Sequence, residues 1–260
     1  MVGKMANLFR VDNQVAVIIG GAGGIGQALG AGLAEYGAKV VIADVKGAEE
    51  GAAEIRGRFK TSNAVGMQFD ITDEKSVAAL KDRVVSTFGT VDILVNSQGI
   101  NKKFLATEFP VSDWDIMFDI NVRGTMLTCR EFGKVMVERK KGKVINLSSV
   151  RGVRATAWSG NEGYSASKAA IDMITRSLAS EWAPYKINVN AIGPSTIATP
   201  FSQKTLEDPE KLKRFLASCP LGRVGQPIDI VGACIFLASP ASDFVTGQIL
   251  YLDGGLTAIG

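Results

Sequence analysis

The chain has 260 residues, of which 29 are basic, 26 acidic and none histidine, with a hydrophobic share of 46%. A net charge of +3 without a dense basic stripe excludes the electrostatic footprint of a nucleic-acid binder, and the lack of any uncharged apolar run of about 18 residues excludes a membrane span. The missing histidine removes the commonest general base, the Ser-His-Asp arrangement and most catalytic zinc sites, so no metal is expected and proton transfer has to rest on a carboxylate, Lys, Tyr or Cys.

The predicted elements alternate along the whole chain. Residues 14–20, QVAVIIG, read as a first strand, and GIGQALGAGLAEYG after them as a helix. A second strand at 38–44, AKVVIAD, leads into a polar helical stretch reaching about Lys60; a third at 64–70, AVGMQFD, leads into DEKSVAALKDRVVSTFG. The fourth, VDILVNS at 91–97, precedes a long helical segment over about 112–140, whose RKKGK end (139–143) suits a helix C-terminus, where cations meet the dipole. Then follow GKVINLSS (142–149), a helix containing YSASK, KINVNAIG (186–193), a helix near 226–238 and QILYLDGG (248–255). Strands that are nearly continuous Val, Ile and Leu are expected where helices cover both faces of a parallel sheet. The pattern therefore predicts an α/β fold with a doubly wound parallel sheet, one domain over 1–260.

Two connections interrupt the alternation, 150–163 and 194–225, the second holding Pro194, Pro200, Pro209 and Pro220. Long connections in a compact domain are usually lids or binding loops, and both leave the C-terminal ends of strands, where open α/β sheets bind ligands. The N-terminal MVGKMANLFRVDNQ lacks an apolar core with a small-residue cleavage site, so no signal peptide is expected. Cys129, Cys219 and Cys234 show no CxxC spacing, which points to a reducing compartment, the cytoplasm.

Gly20, Gly24 and Gly26 lie between the first strand and the first helix. Glycines there let the backbone turn and approach a pyrophosphate, while the helix start offers unpaired N–H groups to its charge. Glycines also serve plain turns, but the strand–loop–helix context favours a dinucleotide. Asp44, ending the second strand, can accept hydrogen bonds from the adenosine-ribose hydroxyls and would repel a 2′-phosphate, so NAD is expected over NADP, a preference that Lys46 could soften. Tyr164 and Lys168 stand one helical turn apart. Such a pair is commonplace on wet helices; with the glycine loop, Ser149 ahead of it and no histidine, it reads as a reaction centre.

These residues resemble the short-chain dehydrogenase/reductase family over nearly the whole chain. The family's TGxxxGxG reads IGGAGGIG here, with Ile19 for the threonine and Gly20, Gly24, Ile25 and Gly26 in place; its NNAG reads NSQG, Asn96 to Gly99. The resemblance implies a Rossmann-type fold and an NAD(P)-dependent oxidoreductase of CH–OH groups. The implied catalytic set is Asn121, Ser149, Tyr164 and Lys168. The implied cofactor residues include Asp70, Ile71, Asn96, Gly99, Pro194, Ile197 and Thr199 besides the glycines, Asp44, Tyr164 and Lys168. It further implies that Lys168 binds the nicotinamide ribose, that Asn121 holds a water in a proton relay, and that the chain assembles as a homotetramer. The family's Pro-Gly turn is Pro194-Ser195 here, so this turn should not need a positive φ.

Free tyrosine, with a pKa near 10, is a poor base at neutral pH. The Lys168 ammonium and a positively charged nicotinamide should both favour the phenolate, which would take the hydroxyl proton of an alcohol while Ser149 stabilises the charge developing on its oxygen. Ser148 is the weaker candidate for that role. Lys102 and Lys103 follow NSQGIN, and Arg151 and Arg154 follow Ser149, so several cations should border one cleft and favour an anionic substrate such as a sugar acid; solvated loop charges are the competing reading. Gln98, Trp158 and Glu162 are further candidates for the substrate pocket. The basic pair and the tail YLDGGLTAIG resemble the sugar-acid dehydrogenases of the family, those of gluconate 5-dehydrogenase type. The alternatives are a 3-oxoacyl thioester reductase, against which Asp44 and the uncharged Gly21–Gly24 argue, a neutral sugar or polyol dehydrogenase, and a non-catalytic dinucleotide sensor.

Overall fold

The computed structural model describes residues 7–59, 63–155 and 160–259. These form a seven-stranded sheet of β1 (Val15–Ile19), β2 (Lys39–Asp44), β3 (Ala64–Gln68), β4 (Ile93–Asn96), β5 (Gly142–Leu147), β6 (Ile187–Pro194) and β7 (Ile249–Leu252). The helices are α1 (Gly24–Glu35), α2 (Ala48–Arg58), α3 (Glu74–Phe88), α4 (Val111–Phe118), α5 (Gly124–Arg139), α6 (Glu162–Trp182), α7 (Gln203–Leu206), α8 (Pro209–Ser218) and α9 (Pro227–Ala238). The strand order is β3-β2-β1-β4-β5-β6-β7, and every neighbouring pair is parallel.

The alternation of side chains along each strand divides the core in two. Ala16 and Ile18 of β1 and Ile42 of β2 face Leu29 and Leu33 of α1, Ile55 of α2 and Ile230 and Cys234 of α9. Val17 and Ile19 face the opposite way, with Leu80 and Val84 of α3, Leu127 and Phe132 of α5 and Trp182 of α6. Each fully buried Leu, Ile or Phe contributes about 1.5–3 kcal/mol, so these two apolar layers hold the helices on the sheet. Among the described residues no helix is long and apolar enough to cross a membrane.

The chain winds outward from β1 to β3 and then returns to lay β4 on the other side of β1. The carboxyl ends of β1 and β4 therefore part, which is where such sheets open a ligand crevice. All strands being parallel, the segments after β1, β2, β3, β4, β5 and β6 rise from the same edge of the sheet.

Two features depart from the sequence reading. The helical segment over 112–140 is broken into α4 and α5 by a π-helical turn, Asp119–Arg123; a local change from i+4 to i+5 bonding leaves the hydrophobic period almost untouched. The proline-containing excursion 194–225 carries α7 and α8. Pro209 takes the first position of α8, and the Asp208 carboxylate accepts from the N–H groups of Glu210 and Lys211, each at 3.1 Å, so proline here starts a helix instead of preventing one. None of the residues of α8 is fully buried.

Candidate active site

The loop after β1 is shaped by contact with the loop after β4. Gly20 has φ +69°, and a Cβ there would stand 2.7 Å from the backbone N and Cα of Gln98. A Cβ at Gly26 would stand 2.2 Å from the Gly20 carbonyl oxygen. Gly23, the N-cap of α1, offers no side-chain cap, which leaves N–H groups at the helix start for an anion. Asp44 brings its carboxylate to the same place, accepting from the N–H of Ala22 at 3.1 Å and of Val45 at 2.7 Å. Thr199 covers the helix start, since a Cβ on Gly24 would lie 2.9 Å from its Cγ2. Ile197 bridges to Gly225 and closes the base of the excursion. Pro194 accepts from the Ser149 hydroxyl through its carbonyl at 3.4 Å, and Ser195 keeps a negative φ.

Beyond β3, Asp70 accepts from the N–H and hydroxyl of Thr72, the hydroxyl above all holding its carboxyl below the usual carboxylate range, and Ile71 packs against Gly124. Asn96 is turned inward. Its amide donates to Asn146 Oδ1 at 2.9 Å, and its Oδ1 accepts from Thr128. That side chain fastens β4 to β5 and α5, so only its main chain is left to face the crevice. These residues together fit an extended dinucleotide: a close-approach loop, an uncapped helix start and a carboxylate at the end of β2.

Two of the candidate reacting groups meet at Gly99, where a Cβ would lie 3.4 Å from Asn121 Oδ1 and 3.5 Å from Lys168 Nζ. Asn121 sits in the π turn, fully buried. It accepts from the N–H of Ile100 at 2.9 Å and donates to the Ile100 carbonyl at 3.0 Å and to Ser167 Oγ at 3.1 Å. Lys168 donates to the Leu147 carbonyl at 2.7 Å and lies 5.6 Å from the centroid of the Tyr164 ring. Ser149 hydrogen-bonds the Tyr164 hydroxyl, whereas Ser148 points to the Lys168 carbonyl at 3.3 Å. The second serine of the pair therefore meets the phenol. From above, Phe201 brings its ring to 6.2 Å from that of Tyr164.

One expectation needs correcting. Tyr164 is not brought down by Lys168 in the chain alone: burial pushes its hydroxyl up to about 12, against the opposing pull of the Ser149 hydrogen bond and of the Arg151 charge. The physical reason lies in the geometry. The Lys168 ammonium is engaged by Leu147 and stands over the ring face, and burial lowers it to about 8. Without ligand, Tyr164 is a neutral phenol at physiological pH.

The candidate substrate residues separate in space. Lys103 lies within electrostatic reach of Arg151 and of Lys211 on α8; the 194–225 excursion is expected from sequence to border the crevice, but its sequence does not single out Lys211. Partial burial lowers Lys103, and Lys211 and Arg151 lower it further; burial likewise lowers Arg151, and so does Arg154. Among the described residues neither Lys103 nor Arg151 has an ion-pair partner, while Lys211 pairs with Asp208 at 2.7 Å. Lys102 is drawn off to Asp113 at 3.5 Å, and the Arg154 guanidinium donates to the Leu256 carbonyl, so it holds the C-terminal segment. The Gln98 amide donates to Thr125 Oγ1 at 2.8 Å, whose own proton goes to the Asn121 carbonyl at 2.7 Å. Glu162 opens α6 with an unpartnered, buried Oε1. Trp158 lies outside the described residues.

Known proteins bear the same imprint. A family profile described as Enoyl-(Acyl carrier protein) reductase matches residues 20–257. The chain is 37% identical to the 2-dehydro-3-deoxy-D-gluconate 5-dehydrogenase of Dickeya dadantii, over 97% of this chain and 98% of that protein. It is 35% identical to the NAD-dependent glycerol dehydrogenase of Listeria innocua, over 96% of each. Its fold superimposes with a TM-score of 0.93 on a gluconate 5-dehydrogenase of Burkholderia cenocepacia solved with NADP and tartrate, 36% identical, covering 98% of this chain and all (100%) of that one.

Proposed function

The chain belongs to the short-chain dehydrogenase/reductase family, and from that premise we propose that it is an NAD-dependent dehydrogenase of a sugar acid or a related anionic polyol. As a member of that family it is an oxidoreductase that interconverts a secondary alcohol and a ketone with a nicotinamide dinucleotide. The observation that carries the substrate class is that the charges of Arg151 and Lys211 both act on Lys103, while that of Arg151 also acts on Tyr164. Cations within reach of one another are mutually costly, and a carboxylate placed among them relieves that cost.

Oxidised nicotinamide, when bound, supplies the hydride acceptor and a positive charge. Tyr164 then works as the base, taking the hydroxyl proton of the alcohol, because added positive charge is what the buried phenol lacks. Ser149, already hydrogen-bonded to Tyr164, donates to the substrate oxygen as negative charge grows there. Lys168 presents its remaining ammonium hydrogens to the crevice, where they would hold the nicotinamide ribose. Asn121 fixes the Ile100 main chain beside both and is placed to hold a relay water.

Initial rates measured through NADH absorbance on aldonates and on the matching neutral polyols test the substrate class. A kcat/KM at least about tenfold higher for the aldonates is expected, from one charge-assisted hydrogen bond of about 1.5–3 kcal/mol; equal values would remove the reading and favour a neutral polyol. By the same reasoning Lys103→Ala should raise KM for an aldonate about tenfold, with kcat and the weak turnover of polyols nearly unchanged, whereas Arg151→Ala should also lower kcat, because its charge favours ionisation of Tyr164. A comparable KM increase for polyols in either variant counts against an anion site.

Asp44 supports NAD over NADP, because a carboxylate at the end of β2 beside the glycine loop would repel a 2′-phosphate. Asp44→Asn keeps the shape, and the ratio of kcat/KM for NAD over NADP should fall at least about tenfold as the repulsive element is lost. An unchanged ratio places the discrimination elsewhere. Family membership favours a homotetramer, which analytical ultracentrifugation tests: a monomer at assay concentration sinks it. The three cysteines, buried and unpaired, suit a reducing cytoplasm.

A further inference from the structure

Helix α6 carries a polar residue at every fourth position: Tyr164, Lys168, Asp172 and Arg176. Four-residue spacing stacks them on one face. The first two form the reaction centre, and Asp172 is as deeply placed as Lys168, each 3% exposed. One carboxylate oxygen of Asp172 accepts from the Tyr251 hydroxyl of β7 at 3.4 Å, and Ser148, whose hydroxyl donates to the Lys168 carbonyl, stands beside the carboxylate. The other, Oδ1, has no partner. Gly152 makes the room: a Cβ there would lie 2.6 Å from Asp172 Oδ2 and 3.2 Å from the Lys168 carbonyl.

A buried carboxylate with a bare oxygen is costly unless cations stand near it. The charged groups around this one are Lys168 one turn before it and Arg176, exposed, one turn after it. Tyr251 from β7 meets it as a neutral phenol, Ser148 is uncharged, and Arg151 of the Val150–Gly152 turn acts on Tyr164. The order along the face is thus phenol, cation, anion, cation.

From this arrangement we propose that Asp172 is a positioning residue that acts through Lys168, its buried charge keeping the ammonium charged at the crevice. The proposal rests on the reading of Tyr164 and Lys168 as the reaction centre. Burial depresses Lys168 and Asp172 opposes that fall. Lys168 loses its proton as pH rises through its folded value, so the ammonium-dependent functions decline on the alkaline side. Without the carboxylate, the decline comes at lower pH.

Asp172→Asn keeps size and hydrogen bonding but removes the charge. Its alkaline limb of kcat/KM is expected to move down by about one pH unit. Calorimetric NAD binding, without substrate, should weaken about three- to tenfold in the same window and match the wild type well below it. Asp172→Ser, smaller and also neutral, gives the same readout should the Asn variant not fold. Asp172→Glu keeps the charge and should leave the limb near its wild-type position. A limb that does not move in the neutral variants, or a loss equal at every pH, overturns the proposal. Tyr164→Phe in the same assay separates the two levels: inactivity there with an unmoved Asp172→Asn limb refutes the role of Asp172 alone, and full activity there refutes the reaction centre beneath it.

Discussion

Tyr164→Phe is expected to lower kcat about a thousandfold, since a positioned acid–base group contributes typically 10²–10⁴, while the NAD dissociation constant changes less than about threefold. The substitution keeps the ring, and with it the contact with Phe201 and the position under Lys168. Only the oxygen goes, together with its bond to Ser149. No histidine exists anywhere in the chain to replace it, and the nearby Lys168 is engaged by Leu147. Steady-state rates paired with calorimetric NAD binding check this. Retention of more than about a tenth of kcat contradicts the assignment, and parallel loss of NAD binding would mean that the ring, not the hydroxyl, matters.

The second large effect concerns the glycine loop. At Gly26 an added methyl would meet the Gly20 carbonyl oxygen at 2.2 Å and Gly21 Cα at 2.9 Å. Both are backbone atoms, so no flexible side chain can swing away, and the turn between β1 and α1 has to open. Overpacking of a tight site costs about 1–3 kcal/mol, which falls on the element expected to cradle the cofactor. Gly26→Ala should therefore weaken NAD binding by about one to two orders of magnitude and lower the thermal midpoint of the cofactor-free protein. Gly232→Ala on α9, where a Cβ meets nothing within 4 Å, is the matched control and should leave NAD binding unchanged and the midpoint level or slightly raised, Ala being the better helix former. NAD binding by Gly26→Ala at wild-type strength would show that the loop does not press on the cofactor.

Much of the fold was legible because periodicity reports burial. Val17 and Ile19 of β1 alternate with Ala16 and Ile18 between two apolar layers, and a strand buried on both faces reads as the unbroken apolar run it is. The candidate catalytic set was legible through motif order, and the structure brings Asn121 and Lys168 to Gly99 and Ser149 to Tyr164. Other features had no sequence signal. The π turn at Asp119–Arg123 changes bonding without changing composition. The reach of the Lys211 charge to Lys103 depends on how the 194–225 excursion folds back, a long-range fact. Arg154 and Lys102 looked equivalent to Arg151 and Lys103 in sequence, yet Leu256 and Asp113 claim them. Asn96 stands in the family motif, and only its inward bonds to Asn146 and Thr128 show that its side chain serves the sheet. The ionisation of Tyr164 could not be read from spacing at all. One turn of helix fixes how near Lys168 comes, whereas desolvation decides which protonation state that nearness leaves.

That last point is the one most open to direct measurement. The chain has four tyrosines, so the difference in tyrosinate absorbance between wild type and Tyr164→Phe isolates one of them during a pH titration. In the cofactor-free protein the Tyr164 transition should fall near 12, and saturating oxidised NAD should bring it down by at least about two units, the effect of a close cation on a desolvated acid. A transition at the same pH with and without NAD, or one already near neutrality in the free protein, would contradict the claim that bound cofactor turns this phenol into the base.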